Sequence, residues 1–466
     1  MERSSGILMS ISSLPSKYGI GSIGKEAYAF ADFLKSAGQK YWQVLPLGPV
    51  GAGNSPYNSC SSIAGNPLYI DLDTLIEDGL LLKEEVEGID WGTDVTHINY
   101  AKLHENRMKV LAIAKERGWE RDQEAIHEWF KDNPWIHKYA DYMEYKFGDG
   151  SGRTKEFHIY IQFLYDTQWD RFKLYVNNLG IKIIGDIPIY VAMDSVDIWA
   201  EPEQFELDSD NRPVNVSGVP PDYFSEDGQL WGNPLYNYNH MKADGYSWWI
   251  RRVGGATKQY DVIRFDHFRG FGSYWAIPAD SKTAKNGKWV KGPGMELVGT
   301  LTSWFKDIEF IAEDLGILSD DVIELIKECK IPGMKVLQFA FDASGTSSYL
   351  PHCCPENSIC YTGTHDNATT KEWLDTADPK ELAFAKAYLG LNEEEGYVDG
   401  FIRGAMECQS RLTIVPMQDW LGLGAEARMN VPGTVGDNWA WRMKAGAADE
   451  KLAEKIYKIT KRYGRA

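Results

Sequence analysis

Asp261-Val262-Ile263-Arg264-Phe265-Asp266-His267-Phe268-Arg269-Gly270 is the stretch on which the fold turns. Val262, Ile263 and Phe265 make a brief run of β-forming apolar residues and Gly270 stops it, so the segment reads as a short buried strand. A carboxylate, an imidazole and two guanidinium groups crowd its C-terminal end. Crowded charge is a poor way to build a core but a common way to build a site at the mouth of a parallel barrel. Two later stretches repeat the design. Glu309-Phe310-Ile311-Ala312 runs into Glu313-Asp314-Leu315-Gly316, and Ile359-Cys360-Tyr361-Thr362-Gly363-Thr364 runs into His365-Asp366-Asn367. Taken singly, an acid after a strand is ordinarily a helix cap or a turn residue. Three strands finishing on acid, two of them with a histidine alongside, point instead to a carboxylate-based active site.

Outward from this centre, strands alternate with helical segments. Strand patterns fall at 7–11, 41–47, 181–189, 262–266, 309–313, 334–339, 359–364 and 412–417. That alternation predicts a single α/β chain, a (β/α)8 TIM barrel over 1–466, with inserted subdomains and no C-terminal all-β domain. Two stretches are too long for simple connections. Residues 66–158 are acidic, dotted with Trp and helical in pattern, and read as a mainly helical insertion. Residues 200–245, rich in Pro, Gly, Asn and aromatics, read as a loop-rich insertion. Within it, Gln229-Leu230-Trp231-Gly232-Asn233-Pro234 has the look of a mobile aromatic loop able to lie over a cleft.

Two apparent motifs fail on context. Gly19-Ile20-Gly21-Ser22-Ile23-Gly24 matches G-x-G-x-x-G formally. A dinucleotide site needs the strand to run directly into the glycines and an acid about 20 residues on. Here Pro15 and a polar segment intervene, and residues 40–45 hold no acid. Asp208-Ser209-Asp210-Asn211 begins like a calcium loop, but Arg212 and Pro213 break the ligand spacing.

The net charge of −18 over 466 residues excludes nucleic acid and anionic membrane as expected partners, since both require basic patches. The 17 Trp and 25 Tyr fit core packing and sugar-stacking platforms equally well. Cys60, Cys329, Cys353, Cys354, Cys360 and Cys408 are scattered without a C-x-x-C, which reads as reduced thiols in a cytoplasmic protein rather than a disulfide frame or a zinc site. No basic-then-apolar leader opens the chain, and no apolar run approaches the roughly 20 residues of a membrane span. No cofactor and no metal are expected.

Several motifs, in order and over nearly the whole chain, resemble one family. They are Ser55-Pro56-Tyr57 with Ala64-Gly65-Asn66-Pro67-Leu68, Gly185-Asp186-Ile187-Pro188-Ile189-Tyr190-Val191, and Gly218-Val219-Pro220-Pro221-Asp222-Tyr223-Phe224. Gly228-Gln229-Leu230-Trp231-Gly232-Asn233-Pro234 and the three acid-tipped strand ends complete the set, and Asp437-Asn438-Trp439-Ala440-Trp441-Arg442 keeps the same flavour. Together they resemble the 4-α-glucanotransferases (amylomaltase, or disproportionating enzyme) of glycoside hydrolase family 77. Cys60, Ser62 and Ile63 depart from it, standing where bulkier or more apolar residues are expected.

The resemblance implies retaining transfer of an α-1,4-glucan segment to the 4-hydroxyl of another glucan or glucose, through a covalent glucosyl-enzyme. Retention requires two carboxyls about 5–5.5 Å apart. Carried over residue by residue, Asp266 is the nucleophile, Glu313 the acid/base and Asp366 the stabiliser of the distorted sugar. Arg264, two residues back on the same strand face, would keep Asp266 ionised and aimed; a purely structural Asp–Arg pair reads the same way. Asp314 rivals Glu313, but neighbours on a strand point to opposite sides, and the family pattern takes Glu313. His267 and His365 either donate to sugar hydroxyls or are satisfied structural imidazoles. Asp186 either binds a hydroxyl near the reacting sugar or caps its turn. Tyr57 would be the platform under the reacting glucose. Gln229 and Trp231 would serve the acceptor side, where excluding water favours transfer over hydrolysis. The expected partners are malto-oligosaccharides and α-1,4-glucans. A retaining α-glucan hydrolase on the same scaffold and a non-catalytic glucan-binding protein are the competing readings.

Overall fold

Strands of only three to six residues carry the architecture, and in the computed structural model twelve of them lie among the described residues, 1–148, 152–221, 226–316, 318–342 and 345–466. In chain order they are β1 (Ser4–Leu8), β2 (Tyr41–Gln43), β3 (Lys182–Ile187), β4 (Asn215–Val219), β5 (Gln229–Pro234) and β6 (Val262–Phe265). β7 (Ser273–Pro278), β8 (Lys288–Lys291), β9 (Glu309–Ala312), β10 (Gly333–Val336), β11 (Ser358–Tyr361) and β12 (Leu412–Pro416) follow. Eight of these close into a parallel barrel in the order β1-β2-β3-β6-β9-β10-β11-β12, with β12 returning to β1. Seven of the eight overlap the strand patterns of the sequence closely, most of them shorter than expected; the first is displaced, running over Ser4–Leu8 instead of 7–11, with Ile11–Ser13 in a 3-10 turn. The apolar run at 334–339, for example, leaves the sheet after Val336 and continues as a 3-10 turn, Leu337–Phe341.

Each barrel strand is buried nearly throughout because helices cover its outer face and side chains fill its inner one. Alternation then sorts the residues of β6. Phe265 turns outward and stacks on Phe310 of β9 at 5.3 Å. Arg264 turns inward, where its partner in register on β3 is Asp186. On the far side of the lumen Tyr361 donates to Gln43 at 2.8 Å. At the opposite end of the barrel, fully buried Arg465 donates to the backbone oxygens of Ser4, Met406, Cys408, Ser410 and Arg411.

Between β2 and β3 the chain forms the helices Leu72–Glu77, Tyr100–Gly118, Gln123–Asp132 and Ile136–Phe147, then the long helix Lys155–Asn178 that returns to the barrel. Two amides of that helix fasten the loop after β2. Gln162 exchanges a pair of hydrogen bonds with the backbone of Gly65, each 2.8 Å, and Gln168 does the same with Asp71 at 2.7 and 3.2 Å. The loop bearing Tyr57 is thereby held from behind. No helix among the described residues is long and apolar enough to cross a membrane.

The stretch 200–245 departs from its loop-rich reading. β4 and β5 form half of a four-stranded antiparallel sheet, ordered β5-β4-β7-β8, whose other half comes from the segment after β6. Trp231 accordingly sits on a strand rather than on a loop. The strands escape a propensity reading because Gly218, Gly232, Asn233 and Pro234 are residues that sheets generally exclude, tolerated here at a short ribbon with a register shift between Val216 and Gly218. Asp222, Tyr223 and Phe224 of the family-like motif lie outside the described residues.

Gly185, immediately before Asp186 on β3, has no room for a side chain: a Cβ there would lie 2.1 Å from the ring of Tyr260. Gly185→Ala is expected to destabilise the barrel by about 1–3 kcal/mol, read as a lower urea midpoint with unchanged slope.

Candidate active site

The C-terminal ends of β3, β6, β9 and β11 bring their polar residues to one place. Arg264, 3% exposed, is the hinge of the arrangement. Its Nη1 donates both to Asp186 Oδ2 at 2.5 Å and to Asp266 Oδ1 at 3.0 Å. The first contact follows from register across β3 and β6, and the second from period-two spacing along β6. Asp186 also accepts a hydrogen bond from the Tyr57 hydroxyl at 2.7 Å, so it fixes the end of that side chain and caps no turn. Burial pushes the Asp186 carboxyl up, and Arg264 opposes the shift. Its Oδ1 is buried without a protein partner.

Glu313 stands one residue past β9. Its Oε2 accepts from the His267 amide at 2.8 Å and its Oε1 from the Leu315 amide at 2.7 Å. The backbones beneath also interlock: Glu313 N donates to Phe265 O and Phe268 N donates to Glu313 O, both at 3.0 Å. The Glu313 carboxyl is therefore tied to the residue directly after Asp266. Burial pushes its pKa up to about 7; the Arg264 guanidinium pulls the other way and the Asp266 charge adds to the rise. Asp314, the rival acid, faces β10 instead, accepting from the Met334 amide at 2.6 Å.

Asp366 follows β11 and is held from two sides. Its Oδ2 lies 3.3 Å from His365 Nε2, and its Oδ1 accepts from Asn430 Nδ2 at 2.6 Å. His365 stacks on Tyr57, ring centroids 5.1 Å apart and planes 15° from parallel. Trp439 closes this group, 5.7 Å from Tyr57 and 5.9 Å from His365. Burial pushes the His365 imidazole down, and its Nδ1 has no protein partner. His267 sits in a left-handed backbone conformation (φ 51°), and burial pushes its pKa down to about 3. Trp231 meets it edge-on at 4.7 Å and donates its indole N–H to Gln229 at 3.1 Å.

All ten residues singled out in the sequence thus fall in one linked set around the barrel mouth. Asn430 and Trp439 were missed. Asn430 has no marker in the sequence, being one polar residue in a loop; Trp439 belongs to the Asp437–Arg442 motif, which carries no titratable group aimed at the site. Among the described residues no group of three or more His, Cys, Asp or Glu side chains is arranged to hold a metal ion.

A parallel barrel with a bonded Asp–Arg–Asp unit, a second carboxyl raised by burial and aromatic walls defines a carbohydrate-active enzyme of the two-carboxylate type. Comparison narrows the class. A family profile described as 4-alpha-glucanotransferase matches residues 9–156 and 146–448. The 4-alpha-glucanotransferase of Clostridium butyricum is 44% identical over 485 residues, covering 98% of this chain and all of that one. That of Streptococcus pneumoniae strain TIGR4 is 42% identical over 493 residues, covering 100% and 98%. Among solved structures, the amylomaltase from Streptococcus agalactiae in complex with acarbose superposes with a TM-score of 0.97 at 38% identity over the full length of both chains. The chain belongs to the 4-alpha-glucanotransferase family.

Removing Arg264 would strand Asp186 as a buried, uncompensated charge. Arg264→Ala is expected to cost about 3–5 kcal/mol in chemical denaturation, and adding Asp186→Asn should return part of that loss by removing the stranded charge.

Proposed function

We propose that Asp266, Glu313 and Asp366 carry out retaining disproportionation of malto-oligosaccharides and α-1,4-glucans. The observation that carries this is the tie between the Glu313 carboxyl and the amide of His267, which holds an acid of raised pKa one residue from the carboxylate that Arg264 aims. In the first step an Asp266 oxygen attacks the anomeric carbon. The glycosidic C–O bond breaks, and the Glu313 proton goes to the departing 4-oxygen. In the second step Glu313 takes the proton of an acceptor 4-hydroxyl, whose oxygen displaces Asp266 and restores the α-linkage. Asp366, held by Asn430 and His365, faces the positive charge that builds on the ring. His365 and Asp186 back the pocket for the reacting glucose; His365 Nδ1 and Asp186 Oδ1 are buried and lack protein partners. Tyr57 forms its platform, and Trp231 with Gln229 and His267 screens the acceptor side.

In this reading residues 66–158 and 200–245 are insertions on one barrel, flanking the cleft. The six cysteines, none of them paired, suit a reducing cytoplasm. Transfer rather than hydrolysis is favoured by family membership, because both reactions use the same acids.

Maltotriose incubated alone should give glucose plus products longer than maltotriose, with the count of reducing ends unchanged; maltose and glucose with a rising count would mean hydrolysis. Asp266→Asn should lower kcat by at least about 1,000-fold while maltotriose still binds by calorimetry. A non-catalytic binder would show no turnover to lose. Glu313 must be protonated to release the leaving group, and its raised pKa keeps the proton on below about 7. kcat/KM should therefore fall as pH rises through that value, and the alkaline limb should vanish with the residual activity of Glu313→Gln.

A further inference from the structure

Trp439 is the one residue at the site whose backbone is strained and whose role the chemistry above does not use. Its φ is +66°, a left-handed conformation that costs a bulky L-residue about 1–2 kcal/mol. The surrounding chain enforces that conformation. Trp439 N donates to Met429 O at 2.7 Å and the Tyr100 hydroxyl donates to Trp439 O at 3.0 Å. Just beyond, Ile98 N donates to Ala440 O at 2.8 Å, and Arg442 bonds the backbone of Ser16, Asp94 and Thr96. A segment after the last barrel strand is thus clamped against the 94–100 segment, and the product of the clamp is an indole, 7% exposed, set against both Tyr57 and His365.

Those two stacked rings need such a backstop. Tyr57 is anchored at its hydroxyl on Asp186 and His365 at Nε2 on Asp366, so each can pivot about a polar tip. The indole meets Tyr57 at 43° and His365 at 41°, tilted against both, while Tyr57 and His365 stay 15° from parallel. A space-filling residue could do its work from an ordinary backbone conformation. We propose that Trp439 is a positioning residue: it locks the planes of Tyr57 and His365, and through them the surface that receives the donor glucose. The inference rests on the reading of Tyr57 and Asp366 as parts of the donor side of the site.

Glycine accepts a φ of +66° without strain, so Trp439→Gly removes the ring and leaves the backbone comfortable; Trp439→Phe keeps an aromatic plane. The test measures kcat per folded molecule with maltotriose, KM for glucose as acceptor with a longer glucan as donor, and melting temperature. Trp439→Gly should lower kcat by about 10- to 100-fold with the acceptor KM within about twofold of the parent. Its melting temperature should fall by no more than about 4 °C, since the relieved backbone offsets part of the cost of the lost ring, and Trp439→Phe should recover most of the kcat. A folded Trp439→Gly with kcat within about twofold of the parent overturns the proposal, as does a phenylalanine variant no better than the glycine one. A parent that yields only maltose and glucose would overturn the transfer reading instead, and the same kcat comparison on hydrolysis then decides Trp439.

Discussion

A guanidinium buried between two carboxylates is the constraint from which the site is built. Arg264 touches Asp186 and Asp266 at once, inside a barrel whose remaining inward contacts include a Tyr–Gln hydrogen bond and the sulfur of Met334. Taking such charges out of water is expensive, and the expense is recovered only when each finds its partner in good geometry. That requirement fixes more than a side chain. It demands the β3–β6 register that sets Asp186 beside Arg264, because a slip of one residue would send Arg264 into the apolar layer where Phe265 packs. The position of Asp266 is a consequence of strand alternation, and that of Tyr57 a consequence of Asp186.

The remaining groups are held by backbone. Glu313 takes amides from His267 and Leu315, Asp314 takes the amide of Met334, and the loop under Tyr57 is pinned by Gln162 and Gln168. Backbone donors cannot rotate away as hydroxyls do, so the Glu313 carboxyl has few orientations open to it. The same burial that raises its pKa to about 7 lets it keep a proton near neutrality, while the neighbouring Asp266 keeps its guanidinium. Two carboxyls given opposite environments on adjacent strand ends is the arrangement that acid and nucleophile roles require.

Much of this was legible in the sequence. The eight barrel strands were readable because each is a short apolar run with punctuation on both sides, and the acid at the end of three of them is polar where a core strand has no use for polarity. Family-like motifs supplied the roles. What stayed hidden lacked either signal. β4 and β5 carry glycine, asparagine and proline, so their pairing is decided by β7, a partner over 50 residues away from β4 in the chain. Asn430 acts through a contact spanning 64 residues, which no local pattern encodes. Asp186 was read as a hydroxyl ligand or turn cap, and its bond to Tyr57 needed the meeting of segments 129 residues apart.

Two residues of the site carry backbone strain. Of the non-glycine residues in the left-handed region, two lie at the barrel mouth, His267 at φ 51° and Trp439 at φ 66°. At His267 the turn has a visible effect: the amide is aimed at Glu313 while the ring goes to Trp231, so one residue links the two. At Trp439 the same conformation directs an indole at Tyr57 and His365. Strain of this kind persists only where surrounding contacts over-determine it, and both residues have such contacts, from Glu313 just past β9 in one case and from the 94–100 segment in the other. A transferase has reason to keep it. A glucosyl-enzyme must outlast the departure of one glucan and the arrival of another, in the presence of abundant water, and a loose subsite would admit water to the anomeric carbon in that interval.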